Sequence, residues 1–360
     1  MKIAINTGGG DAPGLNAVIR AVVLAATNLG WSVYGIRRGY SGLFEEDGVV
    51  DLTRDSVRGI THLGGTILGT TNRGNPLSWP VERKDGTVEM VDRSDEVLEE
   101  FRRRELDVLI AIGGDRSLEI ASVLSEKGLP VVGVPKTIDN DLAATQVTFG
   151  FHTAVATATD AIGRLHSTAE AHGRVMVVEL MGRTAGWIAL YAGVAATADV
   201  ILIPEIPYRL DAVCAKIERR YEAGPGFAIV VAAEGAFEAG GSSTFHNQAT
   251  GGRSARLGGI AEKLALQIEE RTGRETRSLV LGHLQRGGEP IAYDRLLAIR
   301  FGSAAVELVK NGCLGCMVAL RPSEVLAVPL KEAVAQLKLV PTDGDLVRAA
   351  RSIGVSFGDE

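Results

Sequence analysis

The chain has 360 residues, 46% hydrophobic and 23% charged, with a formal net charge of −6. That apolar content excludes intrinsic disorder and suffices for two lobes of ordinary size. The charges are scattered, with no basic stripe for nucleic acid or an anionic membrane surface, so any anion site must be local.

Taken along the chain, short β-rich runs bounded by glycine alternate with amphipathic stretches, the pattern of an α/β protein with largely parallel sheets. Residues 1–6 are apolar over too short a distance for a signal peptide, and no later run reaches the length of a membrane span. A cytoplasmic protein is expected. The pattern predicts strands at 2–6, 32–36, 108–112 and 131–134, then at 175–179, 200–203, 228–232 and 278–281. Helical spacing falls at 16–27, 94–104, 118–127, 151–166, 210–223 and 258–272. The polar segments 70–92 and 238–256 read as loops over a site. Length places a change of lobe near Gly150. The three cysteines cannot form a disulfide framework. Cys313 and Cys316 make one C-x-x-C, which has no second pair for zinc and no thioredoxin-like context, so it reads as incidental.

In α/β sheets ligands gather at the carboxyl ends of strands, and the polar motifs of this chain lie there. After 2–6 comes Thr7-Gly8-Gly9-Gly10-Asp11-Ala12-Pro13-Gly14, whose glycines would let backbone amides approach a phosphate ahead of a helix. Neither G-x-G-x-x-G nor a P-loop is present, which weakens two rival nucleotide readings. After 108–112 comes Gly113-Gly114-Asp115-Arg116-Ser117, a second phosphate-compatible loop whose Asp115 can hold Mg²⁺ through oxygen or simply cap a helix. After 131–134 comes Pro135-Lys136-Thr137-Ile138-Asp139-Asn140-Asp141. Along an extended segment Asp139 and Asp141 would point the same way, as suits a base beside a metal. Further on stand Met181-Gly182-Arg183, Glu234-Gly235 and His283-Leu284-Gln285-Arg286. A lone His after a strand is usually structural, but with Arg286 beside it His283 can read an anionic sugar phosphate.

Together TGGGDAPGLNAVIR, GGDRS, PKTIDND, MGRTAGW and GHLQRGG resemble the phosphofructokinase family, from Lys2 to about Leu337. The resemblance implies two Rossmann-like lobes with the active site in the cleft between them. Residues 1–150 with 285–335 would take the donor, ATP or pyrophosphate, and 151–284 with 336–360 the sugar phosphate. It implies Mg²⁺-dependent phosphorylation of fructose 6-phosphate at its 1-hydroxyl, with Asp139 as general base, Thr137 and Asp141 positioning acceptor and metal, and Lys136 and Arg183 supplying charge to the migrating phosphoryl group. Asp139 and Arg183 are then expected to face each other across the cleft. Met181, Gly182, Glu234, His283 and Arg286 match the family's sugar-phosphate contacts, as do Arg174 and Arg277, which in the family usually reach in from a neighbouring subunit. A homodimer or homotetramer is thus implied. Gly9, Tyr40, Arg73, Asp115, Arg116 and Ser117 fall at donor-side positions.

The chain departs from the family at Arg116, where ATP users generally carry Gly and many pyrophosphate users Asp. Lys136 resembles the pyrophosphate users and also a mixed subgroup that uses ATP, to which GTTNRGNP and STAEAHGRVMVVE are most similar. ATP is the expected donor. Pyrophosphate as donor, sedoheptulose 7-phosphate as acceptor, and a catalytically silent sugar-phosphate-binding paralogue are the competing readings. The family's effector site is only partly matched, by Arg20 and Arg54 but not by Leu24 or His166, so weak allosteric control is expected. Arg116→Gly should improve ATP use; unchanged steady-state kinetics with both donors would show that the side chain points away.

Overall fold

Every residue of Val108–Gly113 and Val131–Thr137 is buried, the mark of parallel strands covered on both faces. They form the middle of a sheet whose order, in the computed structural model, is 324–329, 316–321, 131–137, 108–113, 2–7, 32–36, 49–51, with Phe149–Gly150 pairing beside 131–137. The pairs from 316–321 to 32–36 are parallel, and both edge pairs are antiparallel. The structure describes residues 1–71, 74–224, 226–247 and 256–360.

This sheet belongs to a unit made of Met1–His152 and Arg286–Leu337; a second unit comprises Thr153–Gln285 and Lys338–Glu360. The second unit holds a four-stranded parallel sheet in the order 200–202, 228–233, 175–180, 276–280. Each unit has its own apolar core, one around Leu109, Phe101 and Met317 and the other around Val177, Val230 and Leu264. Among the described residues no helix is long and apolar enough to cross a membrane.

Local chemistry explains the elements. Helix Ser94–Arg103 carries Asp95 and Glu96 in its first turn and Arg102 and Arg103 in its last, charges that complement the helix dipole. In the first unit, strand Lys2–Thr7 is followed by 32–36 on one side and 108–113 on the other. Chain connections diverge at that point, which opens a crevice at the carboxyl ends of 2–7 and 108–113.

The predicted strands and helices are all found, with ends shifted by a few residues; 151–166 runs on to His172. Segment 70–92 differs from its reading as a loop, because Trp79–Glu82 pairs with Val88–Val91 in a hairpin. Its turn is made by Asp85, whose Oδ1 accepts the Thr87 N–H, and by Gly86 at φ 80°; Asp-Gly between apolar runs is a hairpin signal. Within 238–256, Phe245–Asn247 pairs with Arg256–Leu257, and 248–255 lie outside the described residues.

Helix Ala292–Lys310, absent from the sequence reading, packs on helix Leu15–Asn28 through Gly302, where a Cβ would stand 2.8 Å from the Val18 carbonyl oxygen and 2.8 Å from Ala21 Cβ. Gly302→Val should therefore destabilise the protein by about 1–3 kcal/mol, the usual range for overpacking. Gly163, on an exposed face of helix Phe151–His172, has open space around it, and Gly163→Ala should stabilise by about 0.5–1 kcal/mol. Urea unfolding of the two variants checks both signs.

Candidate active site

Three loops leave the carboxyl ends of adjacent strands 2–7, 108–113 and 131–137, and one side chain ties them together. Lys136, 3% exposed, donates from Nζ to the Gly10 carbonyl. Burial pushes its pKa down to about 8, helped by the Arg286 guanidinium and opposed by the carboxylates of Asp139, Asp11 and Asp115. Arg286 donates to the Asp11 carbonyl at 3.0 Å and lies against Gly10, where a Cβ would come 2.9 Å from Nη1. The glycine loop is thus lined by two cations whose counter-charges come from three acids.

Close approach explains the glycines. A Cβ at Gly8 would meet Ser117 Oγ at 2.8 Å, and Gly9 has φ 77°, a region that disfavours side chains. The amides of this loop are less available than the sequence suggests: Gly8 N–H donates to the Ile112 carbonyl and Gly9 N–H to Thr71. Thr70, which sequence reasoning missed, donates from Oγ1 to the Gly9 carbonyl. The helix Asp115–Glu126 begins one loop away, and its first-turn N–H groups, with no partner inside the helix, offer an anion site in the same crevice. Asp115, Arg116 and Ser117 lie on that first turn, with Arg116 exposed. Tyr40 is buried in the apolar core, and burial raises its hydroxyl pKa. Arg73 lies outside the described residues.

The segment after strand Val131–Thr137 is not extended, so the expected alternation of Asp139 and Asp141 does not apply. Asp139 N–H folds back onto Thr137 Oγ1 at 3.0 Å, and Asn140 takes φ 52°. Asn140 Oδ1 accepts the Thr148 N–H and Thr148 Oγ1 donates to the Thr137 carbonyl, which fixes the bend. Thr137, Asp139 and Asp141 are all buried, and Asp139 Oδ1 has no hydrogen-bond partner. A buried carboxylate oxygen left unpaired is costly unless a ligand serves it.

In the second unit, strand Val175–Leu180 delivers Met181, Gly182 and Arg183, its neighbour Ala228–Ala233 delivers Glu234, and Thr276–Val280 on its other side leads to His283. Arg183 has φ 54°, unusual for a side chain of its size. Its N–H donates to Glu234 Oε1 at 2.9 Å, and Glu234 N–H donates to the Leu180 carbonyl. His283 is exposed on a short 3₁₀ turn. Arg174 and Arg277 stand at the opposite, amino ends of the same strands, joined through Glu275 at 2.9 Å and 2.5 Å.

Glu205 is a further residue the sequence reading passed over. Its carboxylate accepts the N–H of Gly186 at 3.0 Å and that of Val340 at 2.9 Å, while burial raises its pKa. Its position after the apolar strand Val200–Leu202 was the available signal. Among the described residues no group of three or more His, Cys, Asp or Glu could hold a metal ion alone. A divalent cation such as Mg²⁺ takes one or two carboxylates and completes its shell with water and substrate phosphate; the carboxylate of Asp115 at the head of helix Asp115–Glu126 fits such a role.

A phosphofructokinase family profile matches residues 2–309. The ATP-dependent 6-phosphofructokinase of Chloroflexus aurantiacus is 50% identical over 359 residues, covering 100% of this chain and 98% of that one. ATP-dependent 6-phosphofructokinase 2 of Clostridium perfringens is 49% identical, covering 99% and 98%. Among solved structures, Pichia pastoris phosphofructokinase in the T-state superposes with TM-score 0.79 at 31% identity, covering 93% of this chain, which spans 35% of that one. The pyrophosphate-dependent phosphofructokinase of Marinobacter aquaeolei gives TM-score 0.80 at 23% identity, with 99% and 92% covered, and shows likeness of fold.

With Lys136 titrating at about 8, kcat/KM for a phosphate donor, which reports the free enzyme, should fall above that pH as the ammonium is lost. Lys136→Arg should lack this alkaline limb, because guanidinium stays charged. The stability effect has the opposite sense. Between about 8 and the ordinary value of 10.5 the unfolded chain binds the proton that the folded one has lost, so the residue's contribution to stability rises with pH. A pH–rate profile and urea midpoints across that window check the two signs.

Proposed function

The chain belongs to the phosphofructokinase family, and on that premise we propose that it is a cytoplasmic ATP-dependent 6-phosphofructokinase, transferring a phosphoryl group to the 1-hydroxyl of fructose 6-phosphate in glycolysis with Mg²⁺. The observation that carries the reading is the buried constellation of Lys136, Asp139 and the glycine loop, in a chain aligned end to end with ATP-dependent relatives at half identity.

Phosphoryl transfer passes through a loose transition state with charge on peripheral oxygens, so the protein's work is positioning and charge. The first unit takes the donor. Its phosphates meet Lys136 and the first turn of helix Asp115–Glu126, with Gly9, Ser117, Arg116 and Tyr40 assigned to the donor side; Arg286, expected among the sugar-phosphate contacts, lies against the glycine loop of this unit and is assigned here to the donor as well. Asp115, with Asp141, would hold Mg²⁺, which would supply positive charge to offset that of the donor's phosphates. Asp139, prepared by its unpaired buried oxygen, accepts the proton of the sugar hydroxyl that Thr137 helps to orient.

The second unit takes the sugar phosphate through Met181, Gly182, Glu234 and His283, and Arg183 neutralises the group in transfer. Arg174 and Arg277 are at the wrong strand ends to join them. We assign these two to the sugar-phosphate site of a neighbouring subunit in a homodimer or homotetramer. Arg116 is exposed and need not crowd a nucleotide.

Purified protein with Mg²⁺, fructose 6-phosphate and ATP should form fructose 1,6-bisphosphate, and chelation should stop it. Asp139→Asn should lower kcat by roughly 10²–10⁴-fold, the ordinary contribution of a general base, with a far smaller change in the KM for fructose 6-phosphate. Higher kcat/KM with pyrophosphate than with ATP would overturn the donor assignment, and an unchanged kcat in Asp139→Asn would remove the base.

A further inference from the structure

The C-x-x-C that has no role in the transfer chemistry is built as a pair. Helix Ala292–Lys310 ends just before it, and Gly312 at φ 67° turns the chain. Cys313 N–H donates to the Leu308 carbonyl of that helix. Gly315, at φ 70°, donates to the Val131 carbonyl and accepts from Leu330 N–H. Cys316 then opens strand Cys316–Arg321, in register with Val132 on one side and Pro329 on the other. Backbone bonds thus pin both flanks of the motif, and the two Sγ atoms stand 3.7 Å apart. Both cysteines are half-buried, and Leu314 between them is 42% exposed, so a small reagent can reach them.

We infer that Cys313 and Cys316 are a thiol–disulfide modification site, a dithiol that the fold holds ready to be oxidised by a low-molecular-weight disulfide into an internal disulfide. Closing the gap from 3.7 Å to a bond of about 2.05 Å takes a relative shift of the two sulfurs of roughly 1.7 Å. In the reaction one cysteine thiolate attacks a sulfur of the external disulfide and expels one small thiolate, giving a mixed disulfide. The second cysteine thiolate displaces the other. Two protein S–H bonds are lost and one S–S bond forms, while the oxidant is reduced to two thiols that take up the protons.

The surroundings set the rate and the durability. Burial, reinforced by the contact with Cys313, pushes the Cys316 thiol up to about 11. A thiol held protonated attacks slowly at neutral pH, and as a thiolate it is a poor leaving group, so the disulfide forms slowly and resists reduction. The bond would tie the end of helix Ala292–Lys310 to the start of strand Cys316–Arg321. Val132, its register partner, is four residues before Lys136, about 13 Å along the strand at roughly 3.3 Å per residue, so oxidation should leave catalysis alone. By reciprocity, whatever factor the fold contributes to closing the disulfide, the disulfide returns to the stability of the fold.

The full-length protein would be equilibrated at pH 8.5 in glutathione redox buffers, folded or in urea, then quenched, alkylated and mass-analysed. We expect a species two hydrogens lighter, with Cys313 and Cys316 protected and Cys214 still alkylated. Its equilibrium constant should be at least tenfold larger for the folded chain. The oxidised protein should melt at a higher temperature than the reduced one and keep its kcat, and Cys313→Ser should abolish both the species and the melting shift. A vicinal-dithiol reagent such as phenylarsine oxide should bridge the reduced wild type and not that variant. Equal oxidation of folded and unfolded chains, or stable glutathione adducts without the internal bond, would overturn the inference.

Discussion

Burying an ammonium costs several kcal/mol unless oxygens surround it, and the crevice of the first unit is organised around one that is nearly inaccessible. Lys136 emerges from a central strand whose every residue is buried, so its charge cannot be moved to solvent. The Gly10 carbonyl and the fields of Asp139, Asp11 and Asp115 offset part of the penalty, and Arg286 adds to it. The residual strain appears as a lysine that holds its proton weakly. A polyanionic donor would relieve it, since phosphate oxygens would add negative charge beside the ammonium. The same features that weaken the site by itself would therefore favour it with a phosphate bound, which is the differential interaction that binding requires.

The second unit solves a different problem, fixing the backbone of one arginine. A non-glycine residue with positive φ costs of order 1 kcal/mol and persists only when its neighbours over-determine it. Arg183 is in that position, and the Glu234 carboxylate takes up its N–H while the next strand's backbone holds Glu234 in turn. Glu205 extends the scaffold. By accepting from Gly186 and Val340 it joins the turn after Arg183 to the chain's last segment, and Trp187 Nε1 donates to the Lys338 carbonyl at 2.7 Å beside it. With the backbone already set, only the side-chain torsions of Arg183 remain to be ordered when an anion binds.

Much of this was legible because parallel sheets write their ligand sites in one place. The apolar runs 2–6, 108–112 and 131–134 announce buried strands, and the polar residues that follow them have to lie at one edge of the sheet. What could not be read was the path of the backbone after each run. The spacing of Asp139 and Asp141 suggests an extended segment, but the bond from Asp139 N–H to Thr137 Oγ1 bends it. The glycines promise a cradle of amides, yet Gly8 and Gly9 are committed to Ile112 and Thr71, partners far away in sequence. The hairpin in 70–92 was visible in Asp85-Gly86 and passed over because the segment is polar. Helix Ala292–Lys310 escaped because it is apolar on more than one side, packing through Gly302 where a larger residue would clash.

The placement of charge has a consequence that net charge hides. A chain of net −6 repels polyanionic substrates at long range, but only weakly, since the Debye length is about 8 Å at physiological ionic strength. Within that distance what matters is which charges are fixed and how dry their surroundings are. Several of the arginines sit in exposed ion pairs such as Arg103–Glu100 and Arg164–Asp160, where solvent screens them to little effect. Lys136 and Arg286 instead stand side by side without a dedicated acid between them, sharing the glycine loop. Two like charges held together in a crevice repel each other until an anion arrives, and that repulsion is how the proposed donor site would favour phosphate in an acidic protein.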